Sequence, residues 1–599
     1  MKRGEFRVNK LVADQIVDYL ERRGVTHVFG LCGHTVIGML DALSRSEKIT
    51  YVSNRHEQIA ATAADGYARV THKASVVLCH LGPGLTNATT GVANASLDGV
   101  PMVVIAGDVP SYYFGKHPHQ EVNMHADGDQ FEIYRPFVKR AWRIDDPESM
   151  PRILDRAFRL AESGRPGPVL ISVPMDMFSR EIPTELFKRT FNNTYEIGKP
   201  ALDKTVAKAI AERLLSAKAP VIHVGGGVRS SQGEEALRRL VEYLQAPVSR
   251  TLMAQSVLPD NHPFMLGQTG FWGSELTHSY TSQADLILAV GTRFAEADSS
   301  SWYDGITFDT RKTAFIQIDI DPQEIGRNYP VEIGAVADPK LALEQILEEV
   351  KLLAPEPFHH PEIAAKIQES RDAFTAEVSS LRADSRFPMT PHRILWEVKQ
   401  VLPADALIFT DVGWNKNGVA QQYEVTRIDT IHHPSGLATM GFGPAAVLGA
   451  KLAAPEKVVV TLVGDGGFGT NPSVLATARE MNLPIIWIVM NNSAFGTIAG
   501  LENAHYHTEF GTVFKADDQP YSPDWAEVAK GYGVQAVKIN SADELGQQLK
   551  IALDANAPFL IDCPMENIPV PTPGAWNIND IYTQKPGITN GRQTFADEI

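Results

Sequence analysis

The sharpest chemical signal in the sequence is Gly464-Asp465-Gly466, followed after twenty-four residues by Asn491-Asn492. Each segment comes after an apolar run, residues 457–463 and 484–490. If both runs are strands of one parallel sheet, the two turns lie at its carboxyl edge, where open α/β sheets bind ligands. A carboxylate and an amide oxygen are hard donors suited to Mg²⁺, Ca²⁺ or Mn²⁺. Glycine lets the backbone approach a phosphate, and a following helix aims its first N–H groups at it. Few protein ligands are needed, because phosphate oxygens and water commonly complete Mg²⁺. A lone Gly-Asp-Gly is an ordinary βα turn; the Asn-Asn partner at this spacing gives it meaning.

A second set of functional side chains lies near the N-terminus. Asn54-Arg55-His56-Glu57 precedes a small-residue stretch, residues 58–69, that reads as a helix. His80 stands directly before Leu81-Gly82-Pro83-Gly84-Leu85-Thr86-Asn87, and His34 lies in Gly30-Leu31-Cys32-Gly33-His34-Thr35. His119-Gln120-Glu121 lies further along. Imidazoles exchange protons near neutral pH. Taken singly, Glu57 is equally a surface carboxylate, His80 and His34 packed core histidines, and His119 a loop cap. The segment 117–125 has no cysteine and no ordered histidine spacing on a helix, so it reads as a solvated loop rather than a zinc site.

Such turns need parallel sheets to hold them, and the chain supplies the pattern. Helix-length amphipathic segments alternate with β-branched runs throughout, the signature of α/β domains. Residues 12–22 read as a helix, and 27–30, 74–79, 101–106 and 167–174 as strands. A polar stretch at 189–200 reads as a linker. A helix over 205–217 and strands at 220–224, 286–290 and 314–320 form a second unit. Two prolines break the pattern near 353–361. A third unit has strands at 407–411, 457–463 and 484–490. The predicted fold class is α/β with three Rossmann-like parallel-sheet domains, at 1–188, 200–353 and 375–568. The Pro-, Gly-, Thr- and Asn-rich stretch 569–599 reads as a tail or lid.

Composition narrows the function classes. The 599 residues exceed one core, and 44% hydrophobic with 21% charged residues excludes wholesale disorder. A net charge of −16 supplies no broad basic footprint for nucleic acid. The three cysteines form no CxxC pair, so they read as reduced thiols. The first residues lack the apolar core of a signal peptide, and the apolar runs are strand-length, so a cytoplasmic protein without a membrane span is expected.

Together these motifs resemble thiamine diphosphate enzymes, in their acetolactate synthase-like branch, over nearly the whole chain. Leu81–Asn87, Thr439-Met440-Gly441-Phe442-Gly443 and Ile318-Asp319-Ile320-Asp321-Pro322 support the likeness. The resemblance implies pyrimidine-binding, central and diphosphate-binding domains, in that order. It implies that Asp465, Asn492 and the backbone carbonyl of Ala494 hold the metal. Glu57 would donate to the pyrimidine ring of the cofactor, which requires a carboxyl kept protonated in a poorly solvated place. Met440 would prop the cofactor in a bent shape. Val412-Gly413-Trp414-Asn415 would touch its diphosphate, and Gly464, Gly466, Gly467, Phe495, Gly496, Thr497, Gly84 and Asn87 would also bind the cofactor. In the family the cofactor lies between the first domain of one subunit and the third of another, so a homodimer or homotetramer is implied, with active sites at subunit interfaces.

The resemblance also has departures. The acceptor-side lysine, arginine and tryptophan of acetolactate synthases fall on Met175, Ala297 and Leu501. His80 is similar to the active-site histidine of benzoylformate decarboxylase. His34 resembles that of cyclohexane-1,2-dione hydrolase, which also has counterparts of His80 and Gln120. The expected catalytic set is therefore Glu57, His80, His34 and Gln120. The first reading is a carboligase acting on a 2-oxo acid such as pyruvate. The second is a decarboxylase or C–C lyase of 2-oxo acids or 1,2-diketones, and the third a non-catalytic cofactor-binding protein. In flavin-bearing relatives FAD lies along positions matching Gly225, Gly226, Gly267, Arg293 and Asp319. ADP binding or a vestigial domain are the alternatives.

Overall fold

The computed structural model describes residues 8–123, 129–192 and 197–567. The expected tail at 569–599 and part of the 189–200 and 117–125 segments lie outside them. Three six-stranded sheets, every neighbouring pair parallel, organise the chain.

The first sheet contains β1 (His27–Gly30), β2 (Thr50–Ser53), β3 (Ser75–Cys79), β4 (Met102–Asp108), β5 (Ala141–Arg143) and β6 (Pro168–Pro174), in the order β2-β1-β3-β4-β6-β5. The central sheet contains β7 (Pro220–Val224), β8 (Val248–Arg250), β9 (Met265–Gln268), β10 (Leu286–Val290), β11 (Ala314–Asp319) and β12 (Ile333–Val336). Its order is β9-β8-β7-β10-β11-β12, that of a dinucleotide-binding fold. The third contains β13 (Leu407–Thr410), β14 (Ile431–His432), β15 (Val459–Gly464), β16 (Ile485–Asn491), β17 (Gln535–Lys538) and β18 (Phe559–Pro564). Its order, β14-β13-β15-β16-β18-β17, repeats that of the first sheet. Strands such as β3, β4 and β16 are buried along their whole length, because helices cover both faces.

Five helices carry or border the candidate site residues: α1 (Glu57–Thr71), α2 (Pro83–Asp98), α3 (Trp414–Gln422), α4 (Phe442–Ala453) and α5 (Gly496–Tyr506). Helices α1 and α4 cross in backbone contact. A Cβ on Gly66 would stand 2.0 Å from the Ala446 carbonyl oxygen, and one on Gly449 1.7 Å from that of Ala63. Around this crossing one apolar core runs from Phe29 and Val77 of the first sheet to Phe409, Val463 and Trp487 of the third. The central sheet keeps a core of its own, with Ile222, Leu288 and Ile316.

Arg69 of α1 is buried in the crossing, with Nε donating to Asp65 at 2.5 Å and Nη2 to Asp98 at 2.6 Å. Asp98 also accepts the Gly436 N–H, and Arg69 donates to the His433 carbonyl, so the buried charges are paired and hydrogen-bonded. The helix Pro361–Arg382 packs Ile363 and Ile367 on the central domain and runs through position 375 before the third sheet begins. Among the described residues no helix is long and apolar enough to cross a membrane.

Candidate functional site

The first half-site is built on the carboxyl edge of the first sheet. After β2 the chain turns, and the His56 side chain caps α1 by accepting the Gln58 N–H at 3.1 Å. That places Glu57 in the first turn, 5% exposed and so poorly solvated. Asn87 of α2 donates to Glu57 Oε2 at 3.0 Å. Gly84 makes room for both neighbours: a Cβ there would lie 3.0 Å from His80 Cβ and 3.3 Å from Glu57 Oε1.

His80, at the exit of β3, is fixed at both ring nitrogens. Nδ1 is 2.8 Å from Thr35 Oγ1, and Nε2 is 2.8 Å from Gln120 Oε1. His34 sits on a short 3₁₀ turn with its ring centroid 4.7 Å from that of His80, and 6.2 Å from that of His119. Burial pushes the His34 imidazole below its ordinary pKa, and the neighbouring His80 and His119 rings act in the same direction. Gln120 adopts a left-handed backbone, φ 65°, and its carbonyl lies against Gly82. The structure thus brings Glu57, His80, His34 and Gln120 into one cluster and adds His119 and Thr35.

The second half-site occupies the matching edge of the third sheet. Gly464 and Met490 are paired across β15 and β16, so the two turns leave the sheet side by side. Asp465 is buried, and burial pushes its carboxyl up to about 6. The Ser522 hydroxyl and the backbone N–H groups of Gly466 and Asn492 act in the opposite direction and favour the charged carboxylate. The adjacent asparagines differ. Asn491 donates to Asp562 within the sheet, whereas Asn492 donates its amide nitrogen to Asn567 at 3.1 Å, which turns its oxygen the other way. Ala494 lies two residues on, in a bridge opposite Val513.

The glycines of this edge serve different ends. A Cβ on Gly464 would meet nothing within 4 Å, one on Gly466 would press on the Phe495 ring at 2.7 Å, and one on Gly467 would stand 2.2 Å from Asp411 Oδ2. Gly413 has φ 103°, and its Cβ position lies 3.5 Å from Thr497 Oγ1. The Val412-Gly413-Trp414 segment therefore meets the start of α5, where Gly496 abuts the Asn492 side chain. Thr497 Oγ1 is buried without a hydrogen-bond partner among the described residues. An anion held at the N-terminus of α5 would satisfy it. With Asp465 and Asn492 adjoining, the donor set fits a divalent cation carrying a diphosphate. Asn415 is turned inward: it accepts the Asp411 N–H and donates to the Val412 carbonyl, so it braces the segment. Met440, 38% exposed, precedes the start of α4.

A third feature is a cavity of about 590 Å³ against the carboxyl ends of the central sheet. Gly225, Gly226, Arg293 and Asp319 line it, as do Asp98 and Arg165 from the first domain. Gly267, expected with them, lies outside the lining, at the end of strand β9. Gly225 and Gly227 are required by packing as well, since a Cβ on either would collide with Gly291. Burial pushes Asp319 up to about 6.

Sequence reasoning missed the supporting partners. Thr35 was visible inside the Gly-His-Thr segment, but Ser522 and Asn567 come from elements remote in sequence from the residues they orient.

Comparison with known proteins agrees with the three-domain fold. The N-terminal thiamine pyrophosphate binding domain matches residues 10–132, the central domain of thiamine pyrophosphate enzymes matches 207–346, and the C-terminal binding domain matches 411–563. A probable acetolactate synthase large subunit of Methanocaldococcus jannaschii is 34% identical over 94% of this chain and 93% of its own length. One from Methanococcus aeolicus is 33% identical over 98% of each chain. The acetolactate synthase isozyme 3 large subunit of Escherichia coli is 32% identical over 90% of this chain and 92% of its own. With two matched half-sites on sheets of one topology and full-length relatives of this kind, the chain belongs to the thiamine pyrophosphate-dependent enzymes, in their acetolactate synthase-like branch.

Proposed function

We propose that the protein is a carboligase that takes a 2-oxo acid such as pyruvate as donor, releases CO₂ and joins the remaining two-carbon unit to a carbonyl acceptor. Its full-length relatives are acetolactate synthase large subunits, and the observation that carries the reading is Glu57, buried and held by Asn87 beside His80 and Gln120. When bound, thiamine diphosphate supplies a nucleophilic carbon and an electron sink. Glu57 would hold a proton toward the pyrimidine ring, and Gln120 and His80 would orient the substrate oxygen. His34, at the more exposed side of the cluster, would meet the acceptor. Met175, Ala297 and Leu501 supply neither a cation nor an indole, which favours an uncharged acceptor such as an aldehyde.

Asp465, Asn492 and the Ala494 carbonyl would hold Mg²⁺, or Ca²⁺ or Mn²⁺, with Gly464, Gly466, Gly467, Gly413 and Thr497 around the diphosphate. The central cavity, on a sheet of dinucleotide-binding order, would take FAD along Gly225, Gly226, Arg293 and Asp319. The resemblance implies that the first domain of one subunit meets the third of another, so a complete site would form between two copies, in a homodimer or homotetramer. Exposed apolar side chains beside each half, Ile37, Ile498 and Phe510, support such an interface. Three free thiols suit the cytoplasm.

The test is to incubate the protein, loaded with thiamine diphosphate and Mg²⁺, with pyruvate alone and with pyruvate plus an aldehyde. A hydroxyketone or acetohydroxyacid product is expected. Release of acetaldehyde alone would point to a decarboxylase, and no turnover of any 2-oxo acid would remove the reading. A yellow protein with a flavin spectrum checks the central cavity.

A further inference from the structure

The hydrogen bonds around His80 decide which of its nitrogens carries the proton. Thr35 Oγ1 accepts the Leu81 backbone N–H at 3.3 Å, and it lies 2.8 Å from His80 Nδ1. Thr35 is 1% exposed, so water does not compete for its hydroxyl proton. A backbone N–H only donates, and a hydroxyl has one proton to give. With one lone pair committed to Leu81, the arrangement that leaves nothing buried and unpaired sends the Thr35 proton to Nδ1. Nδ1 is then an acceptor, and a neutral ring must carry its hydrogen on Nε2. The far end agrees: Nε2 faces Gln120 Oε1, an acceptor, at 2.8 Å.

The backbone is shaped for this arrangement. A Cβ on Gly107 would stand 2.1 Å from Thr35 Oγ1, and a Cβ on Gly33 would stand 2.3 Å from His80 Cγ. Two glycines on different elements thus give Thr35 and His80 the space to meet.

We infer that Thr35 is a positioning residue that locks His80 as the Nε2–H tautomer, so that His80 offers the substrate a hydrogen bond from a neutral ring. This rests on the proposed carboligase reading only for its catalytic consequence. His80 then does not remove a proton. When a substrate oxygen takes the place of Gln120 Oε1, Nε2–H donates to it and steadies the negative charge that gathers there as the new carbon–carbon bond forms, in the manner of an oxyanion donor. No proton changes hands in this step, so nothing further is needed to balance it.

The test uses Thr35→Val, which keeps the shape and loses the hydroxyl, and Thr35→Ser, which keeps the hydroxyl. In protein labelled with ring-¹⁵N histidine and free of cofactor, solid-state NMR reads the two nitrogens of His80, assigned by their loss in His80→Phe. Wild type, Thr35→Ser and Gln120→Ala should show Nε2 protonated and Nδ1 bare, and adding Thr35→Val to Gln120→Ala, which frees both ring nitrogens, should show protonated Nδ1 appearing. In the loaded enzyme, Thr35→Val should lower kcat by about tenfold to a hundredfold with little change in KM, and Thr35→Ser should restore it. A wild-type ring protonated on Nδ1, or a Gln120→Ala ring left unchanged by adding Thr35→Val, would overturn the inference. If Thr35→Val does not fold, the wild-type spectrum still decides. If no carboligation product is found with any donor, the functional reading fails and the tautomer assignment stands or falls on the spectra alone.

Discussion

The first and third sheets share one strand order, yet they equip their carboxyl edges in opposite ways. The first presents polar and titratable side chains: Glu57, His80, Gln120 and His34. The third presents backbone, through Gly413, Gly464, Gly466 and Gly467, with Asp465 and Asn492 as its side-chain donors. The comparison teaches that one scaffold can be fitted for two jobs by what it places in its turns. Side chains with protons to hold suit an activating half, and bare backbone suits an anchoring half that must approach phosphate closely. In both cases the element order fixes where the edge is, and the residue types fix what it does.

The sharpest way to break this division is Glu57→Gln. It should leave cofactor binding intact while slowing hydrogen–deuterium exchange at the cofactor's reactive carbon by about 10²–10⁴-fold. Lost binding with normal exchange in the remainder would reverse the two roles. Next, Asp465→Ala should weaken Mg²⁺-dependent cofactor binding by about a hundredfold, read by calorimetry. Chelation of the metal should mimic it in wild type and add nothing to the variant. Binding that ignored both treatments would remove the anchoring role from the third sheet.

A finer contrast lies within the third edge. Gly467→Ala forces a methyl onto Asp411 and should cost about 1–3 kcal/mol in urea unfolding. Gly464→Ala meets open space and should leave the unfolding midpoint unchanged while weakening the cofactor. Equal destabilisation by the two would show that the Gly464 face is part of the packing.

A last contrast concerns pH. Burial holds His223 of the central sheet and His432 of the third down at about 3, and His278 at about 4. Unfolded histidines titrate near ~6.5, so the unfolded chain binds more protons below that pH. Their contribution is present above about pH 6.5 and lost as pH falls toward the folded values, at about 1.4 kcal/mol per pH unit for each group. Denaturant midpoints flat between about pH 6.5 and 4.5 would contradict this.

The sequence made the buried strands easy to find. β1, β7 and β10 lie where their apolar runs predict, and β3, β4, β6, β15 and β16 differ by a residue or two at their ends. Edge strands such as β5, β12 and β14 were not legible. They have two to four residues, and β5 and β12 are half exposed, so they carry no continuous apolar run. At the site, Asp465, Asn492 and Glu57 stood out because each lies in a short motif of distinctive types and spacing. The neighbours that aim them did not, because Asn567 and Ser522 reach their partners only through the fold. Asn415 shows the reverse: its place in the motif suggested a cofactor contact, and its side chain is spent on its own turn.

The crossing of α1 and α4 has a consequence for which substitutions the chain tolerates. Gly66 lies about 13 Å along the helix from Glu57, at 1.5 Å per residue. Any side chain there, or at Gly449, would wedge the two helices apart and swing the Glu57 carboxylate with them. Mutational drift should therefore be least forgiven at a joint well away from the chemistry, where the smallest residue does the work of a hinge pin.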